Sequence, residues 1–151
     1  MAQGFTLQSA HMFEIETSQT ADELTQVWVR VAAGINTFDP QWNEEIDQTP
    51  YLDGDGFGSS DVTAAQLVIA FEGHRKYGDA AQDFISGLQG ELGEGRKTRF
   101  RWTDPDGAIF EGPCTVANIV GASGAANEKS TFSFEIHFNG KPTYTPAPAG
   151  A

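Results

Sequence analysis

Apolar and polar positions alternate along most of this chain, which predicts a β-rich domain. The cleanest instance is 131–138, where Phe132, Phe134, Ile136 and Phe138 share one face and Thr131, Ser133, Glu135 and His137 the other. His11–Glu16 reads the same way, with Phe13 and Ile15 opposed to Met12, Glu14 and Glu16. Over Gln26–Ala32, Val27, Val29 and Val31 alternate with Trp28 and Arg30. Val62–Glu72 sets Leu67, Ile69 and Phe71 on one side. In Arg96–Trp102, Arg96, Thr98, Phe100 and Trp102 oppose Lys97, Arg99 and Arg101. Asp104-Pro105-Asp106-Gly107 is a turn signal, and it predicts a hairpin returning from Ala108 toward Val120. Gly112-Pro113 marks a bulge or an edge within that return strand.

Only after Gly78 does the period become helical. Asp79 is a good N-cap, and Gln82 stands three residues later, where a capping box places Glu or Gln. Ala81, Phe84, Ile85, Leu88 and Leu92 follow as one apolar stripe, with Gly87 and Gly90 weakening its end before Gly93. The expected architecture is mainly β with one α-helix. It is an antiparallel β-sandwich or barrel of six or seven strands, with the helix ahead of the last three.

Residues 34–61 fit neither period. They hold seven acidic residues and no basic one, with Trp42, Tyr51, Leu52 and Phe57 interspersed among Pro40, Pro50, Gly54, Gly56 and Gly58. A loop this long is uncommon unless functional, and a plain solvated linker has no use for aromatics. The expectation is an acidic excursion that finds its packing partner elsewhere. From Pro142 the chain turns Pro- and Ala-rich, so residues 1–141 read as one domain and 142–151 as a flexible tail.

Composition narrows the function. The 151 residues, 39% hydrophobic and 20% charged, suffice for a single core without staples. The net charge is −12, and it is uneven: residues 1–95 carry 16 acidic and 3 basic side chains, residues 96–151 carry 5 and 6. That disfavours a nucleic-acid binder, which needs a basic footprint. A single cysteine, Cys114, excludes a disulfide within the chain. The start of the chain has neither a basic run nor an apolar signal region, and no segment is apolar enough to span a bilayer, so synthesis in cytosol is expected.

Candidate chemistry is sparse. Asp53-Gly-Asp-Gly resembles the opening of a calcium loop, but Phe57 stands where a third ligand is needed, and a turn is favoured, with an irregular calcium site left open. Glu44, Glu45 and Asp47 are paired carboxylates in an acidic loop, His11, His74 and His137 lack ligand spacing, and no cofactor is indicated. An enzyme is the last reading. Lys97, Arg99 and Arg101 need solvent or acid, either as a guarded edge or as a face that meets the acidic excursion of another subunit.

Gly-Asp-Ala-Ala-Gln-Asp-Phe-Ile, with Gly78, Asp79, Gln82, Phe84 and Ile85, resembles the helix start of the major tail (tail-tube) proteins of long-tailed bacteriophages. Phe132–Pro146 is similar to the closing strand and tail of that family, with weaker agreement over Val27–Ile35 and at Tyr51–Leu52. The resemblance implies a structural virion protein, made in the host cytoplasm, whose hexameric rings stack into a tube conducting DNA without specific binding. It implies tape-measure, tail-terminator and baseplate or tail-tip proteins as partners, and no membrane. It also makes the long loop an inter-subunit or inter-ring arm, with Trp42, Glu44, Glu45, Asp47, Tyr51, Leu52, Asp53, Asp55 and Phe57 as its candidate contacts. The alternatives are the tube subunit of a contractile or secretion-type injection machine, and a small β-barrel ligand-binding module.

Overall fold

A computed structural model describes residues 4–20 and 22–148. Ten strands and one helix form among them: β1 (Met12–Glu16), β2 (Trp28–Arg30), β3 (Ile35–Gln41), β4 (Glu45–Asp47), β5 (Asp61–Ala64), β6 (Val68–His74), α1 (Ala80–Gly87), β7 (Lys97–Thr103), β8 (Ile109–Ser123), β9 (Thr131–Phe138) and β10 (Thr143–Thr145). The fold is mainly β and antiparallel, as the alternation predicts. The main sheet runs β2-β1-β7-β8-β9-β6-β3, with β10 also on β8, and β4 and β5 form a separate two-stranded ribbon.

The main sheet folds over on itself. Phe13 of β1 meets Phe71 of β6 at 4.9 Å between ring centroids, although three strands separate β1 from β6 in the sheet. β8 makes the fold possible, since its first half pairs with β7 and its second half with β9. Irregular register between Ala117 and Val120, with Asn118 at φ 50°, bends it between the layers. The enclosed core is aromatic: Phe13, Phe71, Phe100, Phe132, Phe134, Phe138 and Trp102 are buried with Ile15, Ile69, Ile85 and Ile136.

Several boundaries differ from the sequence reading. Residues 35–41 are strand, not the beginning of the loop, because Phe38 turns inward against Phe13 and Phe71. The segment predicted as one strand over 62–72 divides into β5 and β6, leaving Val62 in the ribbon and exposed. Gly112-Pro113 does not interrupt β8, which keeps register with Phe100 and Arg99 there. The helix stops at Gly87, so Leu88 is buried as its cap while Leu92 is exposed. The segment predicted as a flexible tail contributes β10, paired with Ile109–Glu111; residues 149–151 lie outside the described residues.

Candidate assembly surfaces

The β4–β5 ribbon leaves the domain between β3 and β6. Its root is fixed: Trp42 lies edge-on to Phe110 at 5.8 Å, its carbonyl accepts the Gln66 amide at 2.8 Å, and Asn43 bonds the carbonyls of Gln41 and Gln66. Past the root, the apolar residues have nothing to rest on. Leu52 is fully exposed, Phe57 is 81% exposed, and Ile46, Tyr51 and Val62 also face solvent. Five exposed large apolar residues on one excursion are unusual on a free surface. Glu44 and Glu45 are exposed beside it, Asp47 accepts the Thr49 hydroxyl at 2.6 Å, and Asp53 sits in a single 3-10 turn. Asp55 is left-handed at φ 52°, followed by Gly56 at φ 87°. Among the described residues no three His, Cys, Asp or Glu side chains group as metal ligands.

The basic strand is paired on both sides only over its second half. β8 pairs with β7 along its whole length, whereas β1 pairs only with Phe100–Thr103, so Arg101 does not guard an open rim. Lys97 and Arg99 lie beyond the β1 ladder, where the Gln19 side chain bonds the Lys97 carbonyl. Arg101 is engaged at home: it bonds Glu111 at 3.1 Å and Glu14 at 3.3 Å, and it covers the Trp28 ring at 4.1 Å. Lys97 pairs with Glu94 at 3.0 Å. Arg99 has no carboxylate partner among the described residues, so the strand presents one uncommitted cation rather than three.

The helix start is a latch. Asp79 accepts the Gln82 amide at 3.1 Å, the N-cap bond the sequence predicts. The Gln82 side chain does not complete a capping box. It is buried and accepts from the Lys76 amide at 2.6 Å while donating to the carbonyls of Ala33 and His74 at 2.8 and 2.9 Å. It thereby ties α1 to the β2–β3 crossover and to the end of β6. Ile85 is buried, Phe84 half-buried, and Gly78 adopts φ 90°, so this motif is structural.

Two features escape a reading of sequence alone. The first is the outer face of the β8–β9–β6–β3 layer. Register lines up Asp39, Ala70, Glu135 and Ala117 in one row, and Thr37, Glu72, Ser133 and Val120 in the next. These rows floor a shallow concavity of about 400 Å³ and contain three carboxylates with no lysine or arginine. Hydrogen bonds from Asn118 at 2.8 Å and His137 at 2.9 Å hold the Glu135 carboxyl below its ordinary range. Strand order, invisible in the alternation, was the missing signal.

The second is Glu16, fully buried at the end of β1. Burial pushes its carboxyl up, but bonds from the Ser18 hydroxyl and from the amides of Val27, Ser18 and Thr20 outweigh it, and the net shift is downward. The carboxylate gathers three backbone amides from either side of the turn around itself, those of Ser18, Val27 and Thr20, at 2.6, 3.0 and 3.1 Å. An acidic residue at a polar position of the alternation gave no hint of this.

No protein-family model matches the chain, and no curated protein does. Solved structures do match. One is the tail of an empty GTA particle, solved by helical refinement with C6 symmetry: TM-score 0.69, 17% identity, 94% of this chain and 100% of the other. The protein shares its fold with a chain of a gene transfer agent tail. The virion of a native gene transfer agent particle contains a similar chain, at TM-score 0.68 and 18% identity over the same shares. At this identity the likeness establishes the fold, which accounts for nearly every residue of both chains.

Proposed function

We propose that this chain is a structural subunit of a phage-type tail tube, not an enzyme, and that its copies form stacked hexameric rings around a DNA channel. The observation that carries this reading is the fold shared, over nearly the whole chain, with a chain of a tail of C6 symmetry. The surfaces support it. The Asp39, Glu72 and Glu135 rows suit a channel wall, because phosphates meeting like charge pass without adhering. The ribbon, with Trp42 at its root and Tyr51, Leu52 and Phe57 beyond, is the arm that reaches a sister copy or the adjacent ring. Arg99 is the cation left available for an acidic neighbour.

Electron microscopy of the concentrated protein tests the reading. Rings or hollow tubes are the expected result. A strictly monomeric particle that binds a small molecule saturably would refute it in favour of a ligand-binding barrel.

A further inference from the structure

We infer that His11 is a two-position proton switch: neutral, its Nδ1 accepts the indole of Trp102, and protonated, the same nitrogen donates to Asp104 and leaves the indole unbonded. His11 stands directly before β1, with Nδ1 3.1 Å from Trp102 Nε1 and 3.4 Å from Asp104 Oδ1. An indole N–H only donates and an ionised carboxylate only accepts, so one ring nitrogen cannot serve both. With a lone pair on Nδ1, the buried Trp102 is satisfied and Asp104 faces a second acceptor. With a proton there, Asp104 gains an ion pair and Trp102 loses its acceptor. The two states exclude each other, and imidazole is the side chain whose charge changes between about pH 5 and 8.

The surroundings select Asp104 as the partner of the charged ring. Phe13, Phe38 and Trp102 lie around the imidazole at 6.5, 5.0 and 5.9 Å between centroids, so β3 brings a neutral ring. The charged groups are Asp104 and, behind it, Asp106 in the β7–β8 turn, and Arg30 of β2, which lines the same cavity of about 460 Å³. Asp106 is committed to the Ala108 amide at 3.0 Å. Burial raises the Asp104 carboxyl and a charged His11 draws it back down. Asp104 itself is fixed, its amide on the Ala108 carbonyl at 2.8 Å and its carbonyl taking the Gly107 amide at 2.9 Å, so the imidazole is the moving part. The exchange reaches further through Trp102, which stacks on Phe110 at 5.3 Å. Phe110 is the ring on which Trp42 seats the ribbon root, so an indole released in acid loosens the attachment of the ribbon.

The exchange takes place within one copy, so NMR of the full-length chain, labelled with 15N at its indoles and kept below its assembly concentration, tests it apart from the tube reading. From about pH 8 to pH 5 the Trp102 indole proton should move upfield, as a lost hydrogen bond requires, on the same curve as the His11 ring protons. Trp42 should follow that curve, whereas Trp28, which donates to Gln26 Oε1 at 3.3 Å, should hold still. His11→Gln keeps an acceptor that does not titrate and should abolish the Trp102 response. Asp104→Asn removes the partner of the charged ring and should carry the His11 curve to lower pH by at least about 0.5. Trp102→Phe removes the competing donor and should carry it to higher pH. A merely structural histidine would not give these opposite displacements. A Trp102 signal that stays put while His11 titrates, or variants that displace the curve the same way or not at all, overturns the switch. Should Trp102→Phe fail to fold, the Trp102 signal and the Asp104→Asn curve still decide. Trp102 moving without Trp42 overturns the link to the ribbon.

Discussion

Replacing Glu16 should release Ser18, Thr20 and Val27, and the cost follows from its bonding. The carboxylate accepts three backbone amides and one hydroxyl from within a fully buried position. Glu16→Ala strands the amides of Ser18, Thr20 and Val27, and an unsatisfied buried donor costs about 1–3 kcal/mol. The loop can relax toward water at some of them, so the expected loss is about 3–5 kcal/mol. For a chain of this length that corresponds to a Tm lower by roughly 6–20 °C. Glu16→Gln keeps one carbonyl for Ser18 and Val27 but turns an amide toward the Thr20 N–H, and should lose about 1–3 kcal/mol. Because the folded carboxyl titrates below its unfolded value, its stabilisation is complete above the ordinary carboxylate range and disappears as pH falls toward the folded value. The gap between wild type and Glu16→Gln should therefore be widest at neutral pH and narrow in acid. Denaturant titration of monomer, followed by tryptophan fluorescence at several pH values, measures both. Equal stability at neutral pH, or a gap that stays constant into acid, would refute the argument.

Other expectations are as direct. Changing Tyr51, Leu52 and Phe57 together to Ser should leave the monomer's Tm within a few degrees, since all three are exposed, yet stop tube growth seen by electron microscopy. Arg99→Glu should weaken assembly, and light scattering across a salt series should find the defect larger at low ionic strength. Gly34→Ala should destabilise by about 2–4 kcal/mol in thermal melts. There, φ is +78°, and a Cβ would strike the His74 carbonyl and lie 2.7 Å from Gln82 Nε2. Pairing Asp39→Lys with Glu72→Lys should make assembled tubes retain DNA in a salt-sensitive manner, checked by filter binding.

What the chain announces in advance is what a two-residue period can carry. Residues 131–138 become β9 with the same limits, and Asp79 caps the helix as expected. Errors gather where tertiary partners decide. Phe38 reads in sequence as part of an acidic loop because its neighbours are polar, whereas the phenylalanines across the core and the ladder with β6 make 35–41 a strand. Gln82 has the right spacing for a capping box, but the crossover carbonyls of Ala33 and His74 compete for its amide and win. Arg101 reads in sequence as part of a basic face, but strand order places Glu14 and Glu111 on either side of it. The acidic rows of the outer face come from four strands far apart in sequence, so no local window contains them.

Because β8 passes unbroken through both layers, they are joined by covalent backbone and not merely by side-chain contact. A pull applied at its far rim travels along the peptide chain into the β7 side before any phenylalanine in the interior has to slide. In a wall made of such units, load would pass between the layers along one peptide chain, and the weak points would be the seams between copies.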